Sequence, residues 1–412
     1  MSGGTPVREG EAGTHGETPR SAGTHGSTAA GGAAPVRTAA GASGAVGGLG
    51  GGRGLGGAVG GGLGGEGGVG GGGGVGGGGG VAGVRGMAGV FVVAAVASAV
   101  VASTVTAQEA VPGIPLPGPV VAFGLPVVRV LLDVAAVATL GLSLLPKLLG
   151  FDRPERTEPV LRRVRPLAVT AAWVWAICAL VTIVFQAAEL NPGGVPTLGM
   201  ISAYVDGVGT GQGLLFSAAC ALAAAGIGLM AVRFGEKVPA ELRIVVAAFG
   251  LLPIPVTGHA VDSVWHDPIM ISMELHVIGA AAWTGGLLAT VAFLAPHRDL
   301  LADTLPRFSR LATLALVLVS VSGLVSGLGT LALTPGVELP GAILSTEYGL
   351  LVLTKVALTA LLVPLAAHIR WRLLPGIAAR RATSVVGWAS AEVAVMGLAY
   401  GVAVAITRAT IA

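Results

Sequence analysis

From residue 87 onward the chain alternates between apolar runs of roughly twenty residues and short polar breaks. A helix needs about 20 mostly apolar residues to cross the hydrocarbon core of a bilayer. Nine segments reach that length, near 87–107, 127–149, 167–189, 213–233, 244–263, 268–295, 309–333, 349–369 and 385–407. The runs at 268–295 and 309–333 are long enough to tilt or to extend past the lipid. The breaks leave no room for a sizeable soluble domain. The pattern therefore predicts an all-α, polytopic membrane helix bundle with nine transmembrane helices, or eight if the first is a cleaved leader.

Residues 1–84 follow a different rule. Glycine dominates them, GGVGGGGGVGGGGG (67–80) is of low complexity, and EAGTHGETPR and SAGTHGSTAA form an imperfect repeat. Such a segment buries too little apolar surface to offset its ordering entropy. It is expected to be a disordered cytoplasmic tail, with His15 and His25 passive passengers. The first run ends in Val105-Thr106-Ala107 before Gln108, which resembles a leader-peptide cleavage site. Its length and the long tail before it favour an uncleaved span. Met87 is an alternative start of translation.

Charge orients the spans. Charged residues make up 11% of the chain and hydrophobic ones 53%, against about a quarter charged in soluble domains. With the N-terminus cytoplasmic, 21 of the 24 Lys and Arg residues fall in cytoplasmic segments, where cationic residues are favoured. Arg129 and Lys355 fall within spans, and Arg408 falls outside. The net charge of +3 thus reflects topology and gives no ground for nucleic-acid binding. Cys178 and Cys220 sit in separate spans and form neither a zinc spacing nor a disulfide framework.

One polar break carries chemistry. GHAVDSVWHDPIMISMELH (258–276) holds three of the seven histidines and two of the seven methionines, and the topology turns it outward. Pro253 and Pro255 interrupt the fifth span just before Gly258 and His259. Asp267-Pro268 reads as N-cap and first residue of the sixth helix. Met270, Met273 and His276 follow at spacing three, with His276 about 12 Å below the helix start. His266 lies in the loop. Imidazole and thioether suit copper, thioether Cu(I) especially. Methionine at helical spacing is more often core filler, and a loop histidine is usually only solvated. An ionisable residue inside a span, such as His276, reads as functional.

Other polar residues share that depth. Asp133, Cys220, Glu274 and Lys355 each lie about 9–11 Å below the outer ends of their spans. Arg129 stands one turn above Asp133. Mutual neutralisation and a place on an ion path explain Arg129, Asp133 and Lys355 equally well. Glu392 lies deeper, with no partner evident by depth.

Five stretches together resemble the copper resistance protein D (CopD) family. They are GHA (258–260), LHVIGAAAWTGGL (275–287), PRFSRLATLALVLVSVSGLVSGL (306–328), STEYGLLVLTKVALTALL (345–362) and EVAV (392–395). The combination of H-x6-W-x-GG with YG-x5-K carries the specificity. Arg129 and Leu140-Gly141 are compatible with the family's more variable N-terminal half. On this resemblance 85–249 would hold N-terminal transmembrane helices and 250–412 a CopD-like transmembrane domain. The chain departs from the family in Leu350, where a basic residue usually follows the YG pair, and in Glu347 before it.

The resemblance implies an inner-membrane protein that moves copper ions inward, often receiving them from an extracytoplasmic copper-binding protein. It assigns the histidine roles to His259 and His276 and the aromatic role to Trp283. It also implies Tyr348, Gly349, Lys355 and Glu392 as family positions. Copper would be captured by His259 and His276, assisted by His266, Met270 and Met273, and Gly279, Gly285 and Gly286 would let helices pack closely beside the site. Two other readings use the same residues. One is a haem-binding membrane oxidoreductase with histidines as axial ligands, although the chain carries no flavin or nucleotide fingerprint. The other is a copper-delivery factor for oxidase assembly without net transport.

Overall fold

The computed structural model describes residues 78–105, 117–253, 266–334, 336–373, 375–376, 385–407 and 409. All belong to one compact unit, Gly72–Ala412. The glycine-rich tail, with its expected disorder and its His15 and His25, lies outside the described residues. So does the 254–265 segment that holds His259.

Helices account for nearly everything described, and no strand occurs among the described residues. In chain order they are α1 (Gly78–Val105), α2 (Pro119–Leu149), α3 (Pro154–Leu190), α4 (Leu198–Gly207), α5 (Gly209–Phe234), α6 (Ala240–Leu251), α7 (His266–Leu294), α8 (Arg298–Leu333), α9 (Ala342–Ser345), α10 (Glu347–His368) and α11 (Val385–Ile406). Eight of them are long and apolar enough to cross a membrane: α1, α2, α3, α5, α7, α8, α10 and α11. These coincide with eight of the nine runs read from hydrophobic periodicity.

The ninth run differs. Its helix, α6, has 12 residues and stops at Leu251, followed by a turn through Leu252 and Pro253. At 1.5 Å per residue it rises about 18 Å, short of the roughly 30 Å core. Pro253 supplies no N–H for the carbonyl of Phe249, so the helix ends where the ladder would need it. Other helices outrun their apolar stretches. α3 and α8 begin well before the lipid-compatible residues, with exposed Glu155 and Arg156 on the first turn of α3 and exposed Arg298 and Asp299 on that of α8. α1 starts ahead of Met87, consistent with cheap propagation once a helix is nucleated. α7 starts at His266, one residue before the Asp267 cap read from sequence, within the usual uncertainty of helix ends.

Small residues set the packing. A Cβ on Gly285 of α7 would stand 2.3 Å from the carbonyl oxygen of Val137 and 3.0 Å from Cα of Gly141 on α2. Backbone therefore touches backbone there, which only glycine on both helices allows. Gly397 and Gly401 on α11 meet Phe91 and Ala95 of α1 in the same way, with 2.7 and 2.4 Å to their carbonyl oxygens. Two apolar clusters result, one centred on Trp283, Phe308 and Met396, the other on Trp175 and Tyr204.

One end of the bundle collects the basic residues. Arg165 makes a bidentate pair with Glu158 at 2.7 and 2.8 Å and also bonds Glu236, which in turn accepts from Arg243 at 3.3 Å. Arg307 of α8 donates to the carbonyls of Leu148 and Leu149, satisfying the last turn of α2. Lys147 pairs with Glu241, Arg153 with Asp303, and Arg370 donates to Thr313. The ends of α2, α5 and α10 and the starts of α3, α6 and α8 thus share one face of the bundle.

Candidate functional site

The opposite half of the bundle encloses a cavity of about 380 Å³ between α2, α7, α8, α10 and α11. Its lining is mostly aliphatic, with a few polar side chains: Arg129 and Asp133 from α2, His276 and Thr284 from α7, Lys355 and Tyr348 from α10, and Tyr400 from α11. An apolar pocket with a few convergent polar groups is the usual form of a binding site.

His276 is the most tightly specified of these. Its Nδ1 lies 3.0 Å from the carbonyl oxygen of Val319 and 3.3 Å from the hydroxyl of Ser322, both on α8. With Nδ1–H donating to that carbonyl, Nε2 keeps its lone pair. Metal-binding histidines are held in this way, with one nitrogen tied to a carbonyl and the other left to coordinate. Ser322 is positioned in turn, since it also donates to Leu318, while Ser272 donates to the carbonyl of Ser322 at 2.9 Å. Gly323 makes space for the ring, because a Cβ there would stand 2.9 Å from Cε1 of His276.

Met273 lines the cavity one turn above His276, whereas Met270 and Glu274 are not part of the lining. The reason is angular. At about 100° per residue, Met273 lies about 60° from His276 around the helix, Met270 about 120° and Glu274 about 160°. Spacing three therefore drifts off the face within two steps. Cys220 is also absent from the lining. It packs instead beside Gly250, where an added Cβ would come within 2.8 Å of Cβ of Cys220. Equal depth did not place Cys220 and Asp133 together, because depth says nothing about which way a helix faces.

The three intramembrane charges do meet. Arg129, Asp133 and Lys355 all line the cavity, and Asp133 lies within the electrostatic reach of both cations. No contact ion pair joins Asp133 to Lys355 among the described residues.

Trp283 and Met396 also line the cavity, and Trp283 is buried. The indole N–H of Trp283 faces the carboxyl of Glu392 on α11 without closing a hydrogen bond of full geometry. Glu392 is 2% exposed, so a tryptophan from the family-like motif on α7 supplies the partner that depth alone could not find. Gly349 explains the YG pair. A Cβ there would stand 2.5 Å from the carbonyl oxygen of Ala342, and its N–H is capped by Thr346 at 3.0 Å. The short helix α9 can thus lie against the start of α10, where Tyr348 reaches the cavity.

Sequence reasoning missed Ser322, Tyr400 and Met396. The last two were within reach, since Glu392, Met396 and Tyr400 recur every four residues on one face of α11. Of the five proposed metal ligands the described side chains include Met270, Met273 and His276. His266 is described only as the first residue of α7, and His259 falls outside the described residues. Among the described residues no three His, Cys, Asp or Glu side chains form a cage for a metal ion.

Two family models match the chain. Residues 120–264 match the copper resistance protein D-like N-terminal domain, and residues 302–406 match copper resistance protein D. The protein belongs to the CopD family. Copper resistance protein D of Pseudomonas syringae pv. tomato is 28% identical over 241 residues, covering 54% of this chain and 73% of that protein. No solved structure matches the chain. The CopD matches cover the helices that contribute Arg129, Asp133, Tyr348, Lys355, Glu392 and Tyr400. His276, Met273 and Trp283 lie between the two matched segments, on α7. Membership makes this a polytopic membrane protein of copper resistance and homeostasis.

Proposed function

We propose that the protein carries copper ions inward across the cell membrane through the α7–α8–α10 cavity. The basic end of the bundle faces the cytoplasm, as the positive-inside rule requires, and the cavity then belongs to the outer half. The observation that carries this reading is His276. Its Nδ1 is fixed by a backbone carbonyl of α8 and its ring lines the cavity, which leaves Nε2 as a ligand. Met273 supplies a thioether beside it. His259, His266 and Met270 assist in capturing the ion at the outer face, the ion arriving free or from an extracytoplasmic copper-binding protein.

The chemistry needed is ligand exchange. Imidazole and thioether hold Cu(I) without a surrounding cage of carboxylates, so the ion is stripped of water yet still able to leave. Asp133 offsets part of the charge that Lys355 and Arg129 present to an incoming cation. Trp283 closes the cavity towards the cytoplasm. A haem centre has less support, since no second imidazole lines the cavity among the described residues.

Two experiments test the proposal. Purified protein should contain copper in stoichiometric amount, show no Soret band, and lose the copper in the His276→Ala variant. A Soret band would contradict it. A reporter active only outside the cytoplasm should work when fused after Gly336 and stay silent after Arg380. The reverse pattern would turn the whole pathway around.

A further inference from the structure

We propose that the copper route continues below the cavity along one face of α11, and that His368 is its release ligand at the basic end of the bundle. The ligand class is a soft monovalent cation, Cu(I). The proposal rests on the reading of the cavity as a copper site and extends it to the other side of Trp283.

The starting point is the register of α11. Tyr400 and Met396 line the cavity. The same face, followed four residues at a time towards the helix start, carries Glu392 and then Trp388. A rise of 1.5 Å per residue puts Glu392 about 6 Å and Trp388 about 12 Å beyond Met396. Glu392 is buried beside the indole of Trp283, so one aromatic separates it from the cavity. Beyond it the ring of Trp388 stacks on the ring of His368, with centroids 4.0 Å apart and planes 27° from parallel.

His368 arrives from the other cavity wall. It ends α10, whose Lys355, Thr359 and Leu362 line the cavity higher up. Immediately after His368 the helix widens into a π segment, Ile369–Leu373. Such segments are rare and are found frequently at functional sites. Arg370 within it is tied to Thr313 of α8. The two helices that line the cavity therefore converge on this histidine at the basic end. The stack fixes the plane of the ring, and neither ring nitrogen has a hydrogen-bond partner among the described residues.

The side chains in order are thioether, carboxylate and imidazole. Met396 can take Cu(I) from the cavity, and buried Glu392 supplies the negative charge that a cation needs to pass an apolar stretch. His368 then offers an imidazole nitrogen ligand next to the cytoplasm. No bond other than metal–ligand bonds changes, and the oxidation state of copper is unaltered.

A structural staple between α10 and α11 would use the same stack, so the decisive variant keeps the stack and removes the nitrogens. Full-length His368→Phe and His276→Ala proteins are compared with the unaltered protein in two assays. One is copper accumulation by cells. The other is Cu(I) retained by the purified protein against a Cu(I) chelator. His368→Phe should reach the membrane at normal level, retain Cu(I) in the cavity, and accumulate copper roughly tenfold more slowly, as for loss of one metal-handling group. His276→Ala should lose retention itself. If His368→Phe accumulates copper normally while His276→Ala does not, His368 is a staple and the release site is overturned, while the cavity reading stands. If His276→Ala retains and accumulates copper normally, the cavity reading fails and this extension fails with it.

Discussion

Two groups of buried charge divide the bundle. At the basic end Arg165, Glu158, Glu236 and Arg243 are linked by direct hydrogen bonds, and the side chain of Arg165 is 3% exposed. In the opposite half Arg129, Asp133 and Lys355 stand around a cavity of about 380 Å³. The first group joins α3, the turn at Gly235–Lys237 and α6 into one unit. The second lines a space beside His276. The first ties three elements together by direct contact, whereas Asp133 and Lys355 form no direct ion pair with each other among the described residues.

Removing one partner from each group should expose that difference. Arg165→Ala removes a buried guanidinium from two partly exposed carboxylates, leaving Glu158 with Arg162 and Glu236 with Arg243, a loss of about 2–3 kcal/mol. It should appear as a large drop in melting temperature of the solubilised protein and in membrane yield. A variant that melts like the parent would show that the cluster is not structural. Lys355→Met leaves Asp133 with Arg129 still nearby, so the stability loss should be about 1 kcal/mol, the middle of the range for single substitutions. Copper uptake should nevertheless fall sharply. Adding Asp133→Asn should recover the stability but not the uptake. A double variant no more stable than Lys355→Met would show that the two residues are not electrostatic partners.

The smallest effect is expected at the methionines, and it sharpens the site. Met273→Leu keeps apolar volume and should slow uptake only at limiting copper. Met270→Leu should do less, because Met270 lies outside the cavity lining. Equal effects of the two would place the approach path along the outer turn of α7 rather than inside the cavity.

Much of this was legible beforehand. Eight spans followed from apolar runs because lipid demands length and composition together. The interruption of the fifth run by Pro253 and Pro255 was legible as well, but its helix, α6, stops at Leu251 and is shorter than the span read from the run. Arg129, Asp133 and Lys355 were matched by depth, and the helices that carry them do face one another. The same depth argument misplaced Cys220 and Glu274, because rotation about a helix axis is set by packing. Gly285 against Gly141 is the contact that fixes α7 on α2, and neither glycine announces its partner in sequence. The bonds from His276 to Val319 and Ser322 were also invisible, as they depend on the register of α8. Trp283 and Glu392 sit more than a hundred residues apart, and only the fold brings them face to face.

The central claim is that copper passes His276. Copper accumulation by cells, compared between the parent and the His276→Ala variant with membrane levels matched, tests it most directly. The account predicts that accumulation falls to the level of cells lacking the protein, with the same outcome for His259→Ala. Normal accumulation by a well-expressed His259→Ala, His276→Ala double variant would contradict it and place the metal route elsewhere in the bundle.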